Sequence, residues 1–414
     1  MGEGAQGIEN GFLQVRRERT MTKILTTSSL SVLMALASAA FAGEPIPIGY
    51  VGPLTGSVAL LGNESLKGAT LAVEQINAAG GVLGRPLKIF AADNRCTPAE
   101  AVSATRKVIT RDRVVATIGQ VCSSATLAAM PVVEQEKIPL VVDTSTNPMI
   151  TVRAGVGGNK WVFRPNLPDD INATIFANMI VELGGKNVSF LLANDDWGRG
   201  VGASFKEVVE KQGGKAVSMD YYDEGETNFM SVLTKIRGSN PNALMIAART
   251  AGGAVIMKQY TELGMKVPVF NQGDMVNEQF VKLVGKDIAK GIMGSESWYP
   301  GVDDPLNKKF EADYIARWGY DPIEPSAYGY VGVQLIAEAI RIARSATPEG
   351  IRNGLTKVNM KTIAGQVKFD EHNQAWTWVV VARITDDGGI KTVKTVQVDR
   401  PQAYWEEWEK KAKK

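Results

Sequence analysis

Histidine is almost absent from this chain, which has a single histidine, His372, in 414 residues. Serine and cysteine nucleophiles commonly need a histidine base, and zinc sites commonly use several histidine or cysteine ligands. His372 lies in a polar turn, residues 370–373 (DEHN). We therefore expect no Ser-His or Cys-His catalysis, no multi-histidine metal site, no cofactor and no enzymatic activity.

The chain also lacks an excess of charge of either sign. Its 46 Lys and Arg residues nearly balance 44 Asp and Glu residues, which leaves a net charge of +2. Nothing in this balance favours a nucleic-acid partner. Because 44% of the residues are hydrophobic and 22% are charged, the composition is that of an ordinary globular protein, with enough length for two lobes.

Long hydrophobic runs are also scarce, and the one near the N-terminus has the form of an export signal. Residues 24–41 are apolar and small, follow Lys23, and end in AFA at 40–42, a small-x-small cleavage site. A membrane anchor is the alternative, but serine and threonine interrupt this short run. We predict that residues 1–42 are an N-terminal extension and signal peptide, with Met21 as the start of the signal.

Cysteine occurs only twice, as Cys96 and Cys122. Both lie in the part predicted to be exported, where oxidising conditions favour pairing. We predict one disulfide, which would contribute about 3.5 kcal/mol by restricting the unfolded chain. The alternative, Cys122 as a nucleophile, would need a nearby histidine base.

Apolar runs alternate with helically spaced segments along the first part of the exported chain. The pattern predicts strands at 46–51, 87–92, 114–118 and 140–142, and helices at 66–79, 99–111 and 124–136. Such alternation indicates right-handed βαβ units and a parallel sheet with helices on both faces.

The alternation restarts after residues 161–165. Strands are predicted at 188–193, 216–221, 243–248 and 267–270, and helices at 201–211, 229–237 and 254–263. Two further helices, 305–318 and 327–345, precede strand-like residues 366–369 and 376–384. The sequence therefore predicts an α/β protein with two doubly wound parallel-sheet lobes.

One predicted strand-to-helix turn, residues 119–126 (GQVCSSAT), has the features of an anion site. Ser123 and Ser124 stand where a helix begins, and the first N–H groups of a helix lack intrahelical partners and attract anions. Ligands of parallel sheets bind beyond the carboxyl ends of the strands, where this turn is predicted to lie. The alternative is that one of these serines only caps its own helix.

A second motif suggests a different function. Residues 198–203 (GRGVGA) fit the G-x-G-x-x-A pattern of dinucleotide-binding proteins, and Asp220 follows at about the expected distance. However, four polar residues separate the preceding strand from the first glycine. A dinucleotide-dependent enzyme is therefore a remote alternative.

Taken together, these motifs resemble the periplasmic solute-binding proteins of branched-chain amino-acid ABC importers, the leucine/isoleucine/valine-binding type. The resemblance covers the exported chain and is most specific at 52–56 (GPLTG), 76–82 (INAAGGV), 93–98 (DNRCTP) and 119–126. It implies the type I periplasmic binding fold, with two lobes joined by three crossovers near 164–165, 296–300 and 367–369. The implied N-terminal lobe comprises 43–163 and 299–368, and the C-terminal lobe 164–298 and 369–414.

The resemblance also implies which residues bind the ligand. The carboxylate would be held by the serines after the second cysteine and by the hydroxyl-bearing loop after the next strand, namely Ser123, Ser124, Thr144, Ser145 and Thr146. The rest of the ligand would be contacted from the other lobe. There the family positions are occupied by Trp197, Arg249 and, approximately, Asp274.

The function implied is capture of a small carboxylate in the periplasm for an ABC permease of the inner membrane, by a monomeric protein. A branched-chain or related amino acid is the first expectation. Because Trp197 and Arg249 replace the residues that the family uses there, an aromatic carboxylate is the alternative.

Overall fold

The computed structural model describes residues 43–400, 404–406 and 408; the predicted signal peptide lies outside them. The first sheet contains β1 (Ile46–Gly52), β2 (Leu87–Asp93), β3 (Ala116–Gly119), β4 (Leu140–Val142) and β5 (Val162–Phe163). Its strand order is β2-β1-β3-β4-β5, and all neighbours pair in parallel. The predicted parallel sheet is confirmed.

The second sheet repeats this arrangement and extends it. It contains β6 (Asn187–Ala193), β7 (Lys215–Tyr222), β8 (Ala243–Ala247), β9 (Val269–Gln272) and β10 (Met293–Glu296). A separate hairpin, β11 (Asn359–Thr362) and β12 (Gly365–Lys368), precedes the last strands of this sheet, β13 (Trp378–Ile384) and β14 (Ile390–Gln397). The order is β14-β13-β10-β9-β8-β6-β7, in which β13 and β14 are antiparallel to their neighbours.

Helices connect the parallel strands. The first lobe carries α1 (Ala59–Ala78), α2 (Pro98–Thr110), α3 (Ser123–Glu136) and α4 (Pro148–Val152). The connections of the second sheet carry α5 (Asp169–Glu182), α6 (Asp196–Lys211), α7 (Met230–Gly238), α8 (Thr250–Glu262), α9 (Glu278–Val284) and α10 (Lys286–Ala289). The last three helices are α11 (Pro305–Trp318), α12 (Glu324–Ala343) and α13 (Pro348–Leu355). Within the described residues, no helix is both long and apolar enough to cross a membrane.

Each sheet has its own hydrophobic core. Around the first sheet, β1 and β3 pack with α1 and with the later helices α11 and α12, which contribute Phe310, Tyr314 and Tyr328. Around the second sheet, Phe176 of α5 packs edge-to-face on Phe205 and Phe270. The helices that follow β10 in sequence therefore pack on the first sheet, because their apolar faces complete its core.

The chain crosses between the lobes three times, and the crossovers are hydrogen-bonded to one another. Arg164, which is 1% exposed, donates from Nε to Gln374 Oε1 at 2.8 Å. The Leu167 N–H donates to Ser297 Oγ at 3.3 Å, and Trp378 Nε1 donates to the Ser297 carbonyl at 3.1 Å. These bonds join segments near all three predicted crossovers; the residue boundaries predicted for the lobes stay a prediction.

The predicted disulfide joins Cys96 to Cys122, with their Cα atoms 5.5 Å apart. It connects the loop after β2 to the residue that immediately precedes α3. The turn that begins α3 is therefore covalently held to the neighbouring strand end.

Replacing both cysteines by serine should lower the free energy of unfolding by about 3 kcal/mol, because the unfolded chain gains freedom when the loop is opened. Urea unfolding followed by circular dichroism measures this change. Adding dithiothreitol to the unmodified protein should reproduce the decrease and should leave the variant unchanged. Equal unfolding midpoints for the variant and the oxidised protein would refute a stabilising role for the disulfide.

Candidate functional site

A cavity lies between the two sheets, at the carboxyl ends of their strands. In each sheet the strand order reverses beside the first strand, between β1 and β3 in the first sheet and between β6 and β8 in the second. Ligands of such sheets bind at this topological switch point. The cavity has a volume of about 30 Å³, which is roughly enough for two water molecules. The lining residues are Leu61, Val121, Ser123, Thr144, Ser145, Thr146, Trp197, Arg249, Gly273, Asp274, Glu296 and Glu324.

The turn that begins α3 supplies the first polar group of the cavity. Cys122 occupies the N-cap position, and no side chain caps the helix, so the alternative that Ser123 or Ser124 is a cap is wrong. Ser123 lines the cavity, and its hydroxyl oxygen accepts a hydrogen bond from the Asn147 N–H at 3.2 Å. Its own proton therefore remains available to another acceptor.

Ser124 is the one predicted ligand residue that is not among those lining the cavity. Its hydroxyl accepts a hydrogen bond from the Asp196 N–H at 3.3 Å, and Asn147 Nδ2 donates to the Asp196 carbonyl at 2.6 Å. Asp196 begins α6 in the second lobe. The two side chains thus bind the backbone N–H and C=O of one residue of the opposite lobe and hold the cleft closed.

The loop after β4 supplies further hydroxyl groups. The Thr144 hydroxyl is buried and has no hydrogen-bond partner in the described part of the chain. Ser145 Oγ lies 2.5 Å from Thr126 Oγ1. Asp143 fixes the loop beside the α3 turn, because its Oδ1 accepts hydrogen bonds from the N–H groups of Val121 at 2.9 Å and Thr144 at 2.7 Å.

Trp197 and Arg249 lie against each other on the opposite side of the cavity. The Arg249 guanidinium is 4.6 Å from the centre of the Trp197 ring, a cation–π contact. A Cβ atom at Gly273 would come within 2.8 Å of Trp197, and Gly273 has a φ of +116°. Glycine is therefore required there for both the turn and the close approach of the indole.

Arg249 forms salt bridges with two acidic residues. Its Nη2 lies 2.7 Å from Asp195 Oδ2, and its Nη1 contacts Glu224. Burial alone would lower the pKa of Arg249, but these carboxylates outweigh burial and raise it. The sequence leaves open whether Arg249 is a surface salt bridge or a ligand group. In the structure it lines the cavity, is 6% exposed, and has its charge balanced by protein carboxylates.

Three carboxyl groups line the cavity, of which the sequence predicts only Asp274. Burial raises the pKa of Asp274 to about 6, although Arg249 lowers it. Glu296 and Glu324 are each 5% exposed and are hydrogen-bonded to one another. Burial, and then the charge of Asp274, raises the pKa of Glu324 to about 8, while burial and Glu324 raise that of Glu296 well above its usual value.

One of the two missed glutamates had a signal in the sequence. Glu296 opens the segment 296–300 predicted as a crossover, and a crossover passes beside the cleft between two lobes. Glu324 had none, because α12 begins at residue 324, whereas the apolar spacing predicts a helix only from 327. Only the packing of α12 on the first lobe brings its first turn to Glu296.

The glycines of residues 198–203 have a packing role in this structure. Gly198 and Gly202 both lie inside α6, after the strand-to-helix turn. A Cβ atom at Gly198 would lie 2.1 Å from the Ala193 carbonyl oxygen, and one at Gly202 would lie 2.4 Å from Leu192. These glycines let α6 pack closely on β6, which accounts for the motif without a dinucleotide.

Within residues 43–400, 404–406 and 408, no group of three or more His, Cys, Asp or Glu side chains could hold a metal ion. The cavity offers hydroxyl groups from the turns after β3 and β4, and carboxyl groups from Asp274 and Glu296 of the second lobe and from Glu324 of the first. Hydroxyl and helix N-terminal N–H donors suit a carboxylate, whereas carboxyl groups suit an ammonium group.

Known proteins are similar to this chain in sequence and in fold. A sequence profile of the family described as periplasmic binding proteins matches residues 45–389. A relative from Pseudomonas aeruginosa, described as an amino acid binding protein, is 27% identical over 376 residues, which cover 90% of this chain and 98% of the relative.

Two solved structures show the same architecture. The substrate-binding protein of a branched-chain amino acid transporter from Streptococcus pneumoniae, in complex with isoleucine, has a TM-score of 0.78 and 26% identity, covering 86% of this chain and 100% of the other. A solute-binding protein of an ABC transporter from R. palustris, in complex with benzoate, has a TM-score of 0.80 and 18% identity, covering 87% of this chain and 98% of the other. The second likeness shows the fold alone.

The buried carboxyl groups should make stability depend on pH. Burial raises the pKa of Asp169, at the start of α5, to about 7, as it raises those of Asp274 and Glu324 to about 6 and about 8. A carboxyl group with a raised pKa in the folded state stabilises the fold fully below its unfolded pKa, and this contribution is lost as pH rises through the folded pKa. We expect the free energy of unfolding to fall between pH 5 and pH 8 by at least about 2 kcal/mol, because raising the pKa of one group by one unit corresponds to about 1.4 kcal/mol.

Urea unfolding of the ligand-free protein across this range measures the decrease. Glu324→Gln should show a smaller decrease, because glutamine does not titrate. A free energy of unfolding that stays constant or rises over the same range would contradict the raised pKa values.

Proposed function

Because the chain belongs to the family of periplasmic binding proteins, we propose that it captures a small amino acid between its lobes and delivers it to an ABC permease. The observation that carries this proposal is the cavity itself, in which the hydroxyl-bearing turns of the first lobe face Asp274 and Glu296 of the second lobe. A zwitterionic amino acid has one charged group for each side. The P. aeruginosa relative described as an amino acid binding protein supports the same ligand class.

The α-carboxylate would lie against the first lobe. The Ser123 hydroxyl proton is available, Thr144 has no hydrogen-bond partner, and the first N–H groups of α3 are those that lack partners within a helix. Hydrogen bonds to an ionised group are stronger than neutral ones. The carboxylate would therefore satisfy donors that the closed cleft leaves unpaired.

The α-ammonium would lie against Asp274. This carboxyl group is on the second lobe after β9, where the related family positions an acidic residue. An ammonium group would favour the ionised form of Asp274 and so offset the effect of burial on its pKa. Arg249 would act indirectly, by holding Trp197 and Asp195 in place at the wall of the cavity.

Capture would require the lobes to move. A space of about 30 Å³ is too small for an amino acid, so the hydrogen bonds of Ser124 and Asn147 to the Asp196 peptide must break to admit the ligand. They would re-form around it by hinge closure at the three crossovers, the usual motion of two-lobed binding proteins.

An aromatic carboxylate is the second candidate, because Trp197 lines the cavity and the R. palustris neighbour was solved with benzoate. However, one face of the Trp197 ring is covered by Arg249, and a benzoate has no cation for the three carboxyl groups. These features favour an amino acid.

The remaining parts of the proposal concern the protein as a whole. We place it in the periplasm, exported by residues 1–42, as a monomer without cofactor or enzymatic activity. Lobe boundaries are proposed at 163/164, 298/299 and 368/369.

Thr144→Val tests the carboxylate side of the cavity. Titration calorimetry with a panel of L-amino acids should first identify a ligand that binds one to one. The variant should bind that ligand roughly tenfold more weakly, because a hydrogen bond to a charged group is lost. Its free energy of unfolding should be unchanged or higher, since valine removes a buried hydroxyl that has no partner.

Thr234→Val is the matched control, because Thr234 is exposed on α7 in the second lobe. It should leave affinity unchanged. The proposal is wrong if no amino acid in the panel binds, and the role of Thr144 is wrong if Thr144→Val binds as tightly as the parent.

A further inference from the structure

Glu296 and Glu324 meet in the cavity from opposite sides of the hinge. Glu296 ends β10 in the second sheet, whereas Glu324 begins α12, which packs in the core of the first lobe. Their carboxyl groups are hydrogen-bonded to one another, and the Ser297 N–H donates to Glu324 Oε1 at 3.2 Å. A ligand in the cavity would therefore contact both lobes through this pair.

The pair has no balancing cation among the residues that line the cavity. Arg249 is the only basic residue there within the described chain, and it is bound to Asp195 and Glu224. Buried carboxyl groups without a cation are costly when ionised. The α-ammonium of an amino acid balances one carboxylate, so a ligand ammonium paired with Asp274 would leave no cation beside the two glutamates.

We infer that the ligand is an L-α-amino acid whose side chain carries a second positive charge, held by Glu296 and Glu324 while Asp274 holds the α-ammonium. This inference rests on the proposed capture of an amino acid. It narrows the amino acid of the proposed function to one with a basic side chain, because Glu296 and Glu324 are two further carboxyl groups that no basic residue of the cavity lining pairs with.

Such a ligand should displace protons from the cavity. The charged and titratable groups that face the glutamates are Asp169, Asp274, Tyr299 and Tyr328, and those that face Asp274 are Arg249 and Glu224. Burial raises the pKa of Glu324 to about 8 and raises that of Glu296 well above its usual value. A bound cation favours their ionised forms, and its affinity should rise from pH 6 to pH 8 by up to about tenfold per pH unit for each proton released.

Titration calorimetry with three pairs of ligands of matched shape tests the inference. The pairs are 2,4-diaminobutyrate with norvaline, ornithine with norleucine, and arginine with citrulline; each pair differs mainly in the side-chain charge. In at least one pair the cationic member should bind at least tenfold more tightly. The inference is overturned if no cationic member reaches that preference.

Failure of the inference and failure of the proposed function give different results. If leucine or the uncharged members bind and the cationic members do not, the protein captures amino acids and only the inference is wrong. If none of these compounds binds, both are wrong.

The variant Glu296→Gln/Glu324→Gln identifies the residues responsible. It should reduce the preference within the best pair to less than threefold. Asp303→Asn, which removes an exposed carboxylate paired with Lys308, is the matched control and should leave this preference unchanged. A preference that survives in the glutamine variant would overturn the assignment.

The pH dependence gives a readout that does not depend on any variant folding. Affinity of the parent for the preferred cationic compound should rise from pH 6 to pH 8, and heats measured in phosphate and Tris buffers should differ, because protons are released. An affinity that is constant or falls over this range would count against the inference.

Discussion

Parallel strands all end at the same edge of their sheet, and this constraint determines where chemistry can occur in this protein. The two sheets share the same order for their first five strands, and their carboxyl ends face one cavity. The first lobe contributes hydroxyl-rich turns after β3 and β4 and, from the start of α12, Glu324. The second lobe contributes Trp197, Arg249 and Asp274 after β6, β8 and β9, and Glu296 at the end of β10.

Burial and pairing then determine which charged groups of the cavity are available to a ligand. The charge of Arg249 is balanced by Asp195 and Glu224, and its guanidinium lies over the Trp197 ring in the wall of the cavity. The carboxyl groups of Asp274, Glu296 and Glu324 have no such partner, and burial raises their pKa values. Ser124 accepts a hydrogen bond from the Asp196 N–H, Asn147 donates one to the Asp196 carbonyl, and these bonds close the lobes over the carboxyl groups. A ligand that supplied positive charge would favour the ionised forms of these groups.

Much of this arrangement could be predicted from the sequence, because strand and helix periodicities are local properties. The order of strands and helices, the disulfide and the hydroxyl turn at Ser123 follow from spacing and residue type. The contacts that decide specificity depend on distant packing: α12 brings Glu324 to Glu296, and Ser124 turns away from the cavity toward Asp196. The spacing of apolar residues does not predict the helix α5. It also does not predict the antiparallel strand β14, because this strand is only half-buried at the sheet edge.

The most direct measurement compares the best L-amino acid with two of its analogues by titration calorimetry: its primary amide, and the 2-hydroxy acid in which hydroxyl replaces the α-ammonium. If the hydroxyl turn holds the carboxylate and Asp274 holds the ammonium, both analogues should bind at least tenfold more weakly than the amino acid itself. An analogue that binds as tightly as the amino acid would show that the end it lacks is not recognised, and would contradict this account of the site.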